Sequence, residues 1–297
     1  MNEGIRRIGV IGTGRMGSAI AHRLLRAGFN LTVYNRTADK ALPLVAAGAR
    51  NATSAREAAR DADAVVTSLT DDAAVLEVTE GADGILAGLS PGALHICTST
   101  ISPGLANKLG SIHSEHGSVY VAAPVAGRPE AAEEGKLLTF VAGEHDAIDR
   151  SRPLLDAYCQ RVIVAGERPE LANSLKLAVN YVVLVIQDLL GQVYAFGEKS
   201  DLDLDLLSQL LGSFFAQPAL VAYASRIRSR DFDTVGFDLR SGFKDVNLML
   251  QAAAAVQAPL PFASSSHDRL ITALARGLGD KDWSAIYEIN RQNAGLT

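Results

Sequence analysis

Cysteine is scarce: Cys97 and Cys159 are the only two in the chain. Two cysteines give neither a disulfide framework nor the spacing of a metal site. Basic clusters are also lacking. The net charge is −5 and the lysines and arginines are scattered, which excludes the clustered footprint of a nucleic-acid binder. Ten prolines and 26 glycines in 297 residues are ordinary numbers, so no long disordered tract is expected. The start runs into "IRRIGVIGTGRMG", too short and too glycine-rich for a signal peptide. The apolar run at 177–186 falls short of the roughly 18 residues that span a bilayer, so no membrane anchor is expected. A cytoplasmic protein of about two domains is the expectation, with 48% hydrophobic and 21% charged residues.

What is present is an alternation. "IGVIG" (8–12) reads as a buried strand, followed by helical spacing from Arg15 to Arg26 that stops at Gly28. "LTVY" (31–34) reads as a second strand, followed by a helix from Thr37 to Ala47 that ends at Gly48. Ser54 with Glu57 has the spacing of a capping box. Further strands are predicted at 64–69, 93–98, 118–123, 137–143 and 161–166. Strands separated by helices imply crossovers and a largely parallel, doubly wound α/β sheet. From Pro169 onward only helical periodicity remains: a run through Lys199, then segments near 203–212, 216–229, 244–257, 261–276 and 282–293. That switch marks a domain boundary at about residue 167, giving 1–167 and an all-α domain over 168–297.

"GTGRMG" sets Gly12, Gly14 and Gly17 in a GxGxxG pattern, with Thr13, Arg15 and Met16 between them. The hexapeptide alone is a weak signal. Here it follows a strand and opens a helix, the context in which glycines let backbone and helix N-terminus meet a pyrophosphate. After the second strand stand Asn35, Arg36 and Thr37. No carboxylate is there to accept from a ribose 2′-hydroxyl, and a guanidinium suits a 2′-phosphate, so NADP is expected over NAD.

The stretch "LANSLKLAVNYVVLVI" (171–186) is apolar nearly all round, yet Lys176 lies in its middle. Asn173, Lys176 and Asn180 are spaced i, i+3 and i+7, which stacks them on one helix face. Burial disfavours a charged ammonium, and a lysine so poised can act as general acid or base. Two other constellations read as solvated. His113 and His116 lack further ligand spacing, so no metal is expected. Asp201, Asp203 and Asp205 read as the first turn of a helix.

These residues carry a resemblance. "GVIGTGRMG", "NRT", "LTDD", "TSTISP" (98–103), "APVAGRPEAAEEGKL" (123–137), "SLKLAVN" and "FKDVNLML" (243–250) together resemble the β-hydroxyacid dehydrogenase family. Its members are relatives of 6-phosphogluconate dehydrogenase and include 3-hydroxyisobutyrate dehydrogenase and glyoxylate or succinic semialdehyde reductases. The resemblance implies a Rossmann-like domain, an all-helical domain, a substrate between them and a homodimer or homotetramer. It implies Lys176 as proton donor to a carbonyl oxygen, with Asn180 orienting the lysine or that oxygen. Leu69 and Thr70 would contact the cofactor, Ser99 or Thr100 would lie near its ribose, and Lys244 would reach over it. Without the resemblance, Lys244 reads as a helix-start ion pair with Asp245.

The family's substrate loop runs Asp-x-Pro-Val-Ser-Gly-Gly. Here Pro124, Val125 and Gly127 are kept, while Ala122, Ala126 and Arg128 replace the aspartate, the serine and the second glycine. Either Arg128 takes over a carboxylate as a bidentate partner, or the site no longer binds a small acid; the bland alternative is an arginine facing solvent. Imine reductases share the architecture but usually carry Asp or Tyr where Lys176 stands. A non-catalytic NADP-binding scaffold is the reading from another class.

Overall fold

The computed structural model describes residues 4–199, 201–214, 218–255, 257 and 259–296. The chain divides into two compact units, Met1–Lys176 and Leu177–Thr297. The expected boundary near residue 167 falls where the strands end, and the units divide later, within a helix.

The first unit alternates strands and helices: β1 (Arg7–Ile11), α1 (Arg15–Arg26), β2 (Asn30–Tyr34), α2 (Leu42–Ala46), β3 (Arg50–Asn51), α3 (Ala55–Ala59) and β4 (Ala64–Thr67). It continues with α4 (Asp72–Glu80), β5 (Leu94–Cys97), α5 (Pro103–His116), β6 (Val119–Ala122), β7 (Val125–Ala126), α6 (Pro129–Glu133), β8 (Leu137–Ala142), α7 (His145–Tyr158) and β9 (Cys159–Gly166). The strands pair in the order β3-β2-β1-β4-β5-β6-β8-β7, with β9 on β8. From β3 to β6 every pairing is parallel, and Val10 lies in register with both Val33 and Val66. β8 runs antiparallel to β6 and β7.

Both faces of the sheet's centre are covered, which is why β4 and β5 are buried along their whole length. Val10, Val66 and Ile96 pack with Ile20, Leu24 and Tyr158 on one face. Ile11 and Val65 pack with Ala58, Ile85 and Leu89 on the other. The strand order reverses around β1 and β4, so the loops after these strands open a crevice at their carboxyl ends.

Local departures have local causes. The helix expected over Thr37–Ala47 is interrupted, with a 3-10 turn at Ala38–Ala41 and α2 starting at Leu42 just before Pro43. Proline fits only the first turn of a helix, so it restarts one there. The capping box is real but stretched. Ser54 Oγ accepts from Glu57 N–H at 3.1 Å, while the Glu57 carboxylate reaches back to Thr53 N–H and Oγ1. His113 is the larger correction. It is fully buried, because its ring bonds to His95 on β5 (2.8 Å) and to Ser118 (2.8 Å), and only His116 keeps partial exposure.

The second unit is helical: α8 (Glu170–Lys199), α9 (Leu204–Phe214), α10 (Pro218–Ser229), α11 (Leu239–Ala255), α12 (Pro261–Ala275) and α13 (Ile286–Asn293), α8 beginning in the first unit. Asp203 Oδ1 accepts from the amides of Asp205 and Leu206, capping α9 as the acidic triplet implied. α11 starts at Leu239, earlier than its apolar pattern suggested, and Gly242 there leaves room for the Trp283 ring, 2.6 Å from a Cβ at that position.

α8 also corrects the length argument against a membrane span. It is one continuous helix, and its Glu170–Ala195 segment is long and apolar enough to cross a bilayer. Its buried face nevertheless carries Asn173, Lys176, Asn180, Gln187 and Asp188, groups that hydrocarbon would penalise.

Candidate active site

The three loop glycines meet three different demands. Gly12 has φ +92°, and a Cβ there would lie 2.3 Å from Ser68 O. At Gly17 a Cβ would lie 1.9 Å from Gly12 O, so the start of α1 can press onto the loop only without a side chain. Gly14 is the opposite case, with nothing within 4 Å of its Cβ position. The first and third glycines close the turn, and the second leaves space for a ligand against the backbone. Thr13 donates its N–H to Asn35 Oδ1 (2.9 Å), and Asn35 Nδ2 donates to Thr37 O (2.9 Å). The glycine loop and the loop after β2 are thus one hydrogen-bonded surface. Thr13 Oγ1 is buried without a partner, a polar atom that a bound phosphate would satisfy.

A cleft of ≈ 480 Å³ extends from this surface. It is lined by Gly12 and Gly14, by Asn35, Arg36 and Thr37, and by Ser68, Leu69 and Thr70, with Lys40, Glu77 and Gly81–Gly84 forming its far wall. Its volume is in the range of ligand pockets. The open Gly14, the orphaned Thr13 hydroxyl and the cleft fit an adenine dinucleotide. Lys40 is a second cation there that the sequence reading passed over. Arg15 and Met16 are placed differently from the rest. The Arg15 guanidinium lies 3.8 Å from Glu130, and Met16 packs against the core.

At the next two strand ends, hydroxyls tie the loops together. Ser99 Oγ accepts from Leu69 N–H at 2.8 Å, and Thr98 Oγ1 donates to Thr67 O. Thr100 is half-buried beside them, and Thr70 donates to Asp71, the cap of α4. Ile101 N–H then donates to Asn173 Oδ1 at 3.2 Å, docking the start of α8 on this loop. Lys176 follows one turn along and is only 8% exposed.

Farther along α8, Asn180 Nδ2 donates to Asp245 Oδ2 at 2.8 Å, and Lys244 Nζ lies 2.8 Å from Asp245 Oδ1. Lys244 therefore takes the ion pair with Asp245, inside α11 and not at its start. Asp245 thus joins Asn180 to Lys244, whereas the sequence pointed only to its pairing with Lys244.

The substrate loop is built on β7. Val125 and Ala126 pair with Thr139 and Leu138, and Thr139 Oγ1 donates to the carbonyls of Ala123 and Pro124. Gly127 has φ +136°, with Leu137 Cδ2 at 2.6 Å from its Cβ position. Arg128 precedes α6 and is half-buried, with its Nη2 atom out of reach of solvent, unlike a side chain that faces solvent. Among the described residues no cluster could hold a metal ion.

Residues 7–166 match the family described as the NAD binding domain of 6-phosphogluconate dehydrogenase, and residues 171–289 match the family described as NAD-binding of NADP-dependent 3-hydroxyisobutyrate dehydrogenase. The chain belongs to the β-hydroxyacid dehydrogenase family. It is 39% identical to an uncharacterized oxidoreductase of Bacillus subtilis over 94% of this chain and 98% of that one. It is 31% identical to 3-sulfolactaldehyde reductase of Escherichia coli, over 98% and 97%. Among solved structures, 3-hydroxyisobutyrate dehydrogenase of Mycobacterium tuberculosis with L-serine superposes with a TM-score of 0.86 at 26% identity, covering 97% and 99%. This β-hydroxyacid dehydrogenase family member is an NAD(P)-dependent oxidoreductase.

Proposed function

We propose that this chain is an NADPH-dependent reductase of a small aldehyde or keto acid, of the glyoxylate or succinic semialdehyde type, with Lys176 as proton donor. The observation that carries the reading is a buried ammonium flanked on its helix face by two buried amides. A lysine so placed can act as general acid toward the carbonyl oxygen of a bound substrate. The cofactor, when bound, supplies a hydride to the carbonyl carbon. Lys176 places a proton on the carbonyl oxygen. Asn180, held by Asp245, orients the group beside it.

The glycine loop would hold the pyrophosphate, and Arg36 with Lys40 the 2′-phosphate. β2 ends in Asn35-Arg36-Thr37 with no carboxylate to repel that phosphate. The Escherichia coli relative is named for reducing an aldehyde, which supports this class. Loss of the serine hydroxyl at Ala126 favours a second reading, reduction of a neutral ketone or imine. Exposed Val182 and Leu189 on α8, with Leu206 and Leu210 on α9, supply apolar surface for a homo-oligomer.

NADPH and NADH oxidation against glyoxylate, succinic semialdehyde, a simple ketone and a cyclic imine tests the reading. Lys176→Ala should cut kcat by about 10²–10⁴ with little change in NADPH affinity. Turnover near wild type in that variant removes Lys176 from the mechanism. Arg36→Ala should weaken NADPH by about one to two decades, the worth of a charge-assisted bond at roughly 1.5–3 kcal/mol. NADH should be much less affected, and equal loss of both shows that Arg36 does not read a 2′-phosphate.

A further inference from the structure

Asn173 is 1% exposed and has one end engaged. Because a backbone N–H, that of Ile101, points at it, the engaged atom must be Oδ1, which fixes the orientation of the amide. The other atom, Nδ2, is buried and has no hydrogen-bond partner. Buried amide donors are almost always paired, and an exception in a native site calls for a reason. This one sits three residues before Lys176, and positions i and i+3 are neighbours on a helix surface, about 5–6 Å apart at Cβ. A buried, unpartnered donor beside the proposed proton donor calls for an acceptor, and a bound ligand can bring one.

The substrate loop bears on what that acceptor is. Ala126 stands where the family has a serine, so the hydroxyl that would bind a carboxylate is gone. We propose that Asn173 Nδ2 supplies the missing donor and binds a carboxylate oxygen of the substrate. The inference rests on the reading of Lys176 as proton donor and narrows its substrate class. Lys176 serves the carbonyl oxygen, and a donor one turn away on the same face serves a carboxylate one or two carbons from that carbonyl. Glyoxylate has such a carboxylate. Succinic semialdehyde, whose carboxylate is three carbons away, fits less well.

Asn173→Asp tests the donor without removing the latch. The aspartate keeps an oxygen for Ile101 N–H and sets a second oxygen where the donor was, facing the anion. The ratio of kcat/KM for glyoxylate to that for glycolaldehyde, a neutral aldehyde, should fall at least about 100-fold, mainly through KM, while the NADPH dissociation constant moves less than about twofold. Asn173→Ala, which loses latch and donor together, should lower the same ratio about tenfold or more. Equal loss for both aldehydes, or a rise in the NADPH dissociation constant, overturns the proposal. Oxalate binding to the NADP-bound enzyme, followed by calorimetry, separates this idea from the one beneath it. If Lys176→Ala retains turnover, the proton-donor reading fails, yet oxalate binding weakened at least about tenfold by Asn173→Asp still upholds the carboxylate contact. Equal oxalate binding by wild type and Asn173→Asp, or none by wild type, overturns it whatever the turnover.

Discussion

The two compact units keep polar side chains inside by different means. In the first unit the buried groups are mostly uncharged. Thr67 Oγ1, His95, His113 and Ser118 form one hydrogen-bonded line, and Thr98 and Thr139 donate to strand-end carbonyls. In the second unit buried ions, Asp188, Asp245, Asp282 and Arg291, stand among the buried amides and hydroxyls. Asp282 pairs with Arg226, Asp188 with Arg269 and Asp245 with Lys244, and Glu198 is held by Arg291. The architecture explains the contrast. The ends of a parallel sheet leave carbonyls such as Thr67 O within reach of neutral hydroxyls. A helix satisfies its own backbone, so polar side chains between helices must find each other, and charged pairs make the strongest such bonds. The sheet unit should therefore respond to protons, and the helical unit to loss of a charge.

The largest expected effect is at Asp282. It is fully buried and accepts from Arg226 Nη1, from the amides of Gly236, Phe237 and Ser284, and from the Ser284 hydroxyl. Asp282→Ala strands all of these donors, including a guanidinium. Removing one partner of a buried pair costs about 3–5 kcal/mol. Urea unfolding should show that loss. A loss below about 1 kcal/mol would mean that water re-pairs the donors and that the ionic interior of the helical unit is not fixed by its charges.

Legibility in the sequence followed the range of the interactions. The glycine loop could be read because its constraints are local: Gly12 needs a positive φ, and Gly17 a bare Cα against the turn before it. Lys176 could be read because a lone charge among Leu, Ala and Val is visible in composition. β7 and α6 were missed, since a two-residue strand and a five-residue helix carry no periodicity. The bond between Asp245 and Asn180 and the burial of His113 were unreadable for another reason. Each depends on a partner brought by a distant element, Asn180 on α8 and His95 on β5. The pattern around His113 does resemble a solvated helix face until the neighbouring strand is in place.

The smaller effect sharpens the comparison from the side of the sheet. His113 is held down to about 4, first by burial and then by the charge of His116, and His95 is pushed well below its ordinary value by burial and by His113. Tyr120 stacks on His113 and meets His95 edge-on, so no carboxylate offsets a proton on either ring in these contacts. Both imidazoles are neutral bases in the folded chain and ordinary ones when it unfolds. The unfolded state therefore binds more protons below about pH 6.5, and stability is full above that pH and falls as pH drops toward about 4. For His113 the window corresponds to roughly 3 kcal/mol at its acid end. His113→Gln keeps a donor and an acceptor without titrating, so its stability should fall less steeply with acid. The only tryptophan, Trp283, lies in the helical unit and gives that unit a private signal. On acidification, amide exchange over 94–122 should rise before Trp283 fluorescence changes, and His113→Gln should bring the two transitions together. Coincident transitions in wild type, or an unchanged slope in the variant, would show that the histidine line does not make the sheet unit the acid-sensitive half.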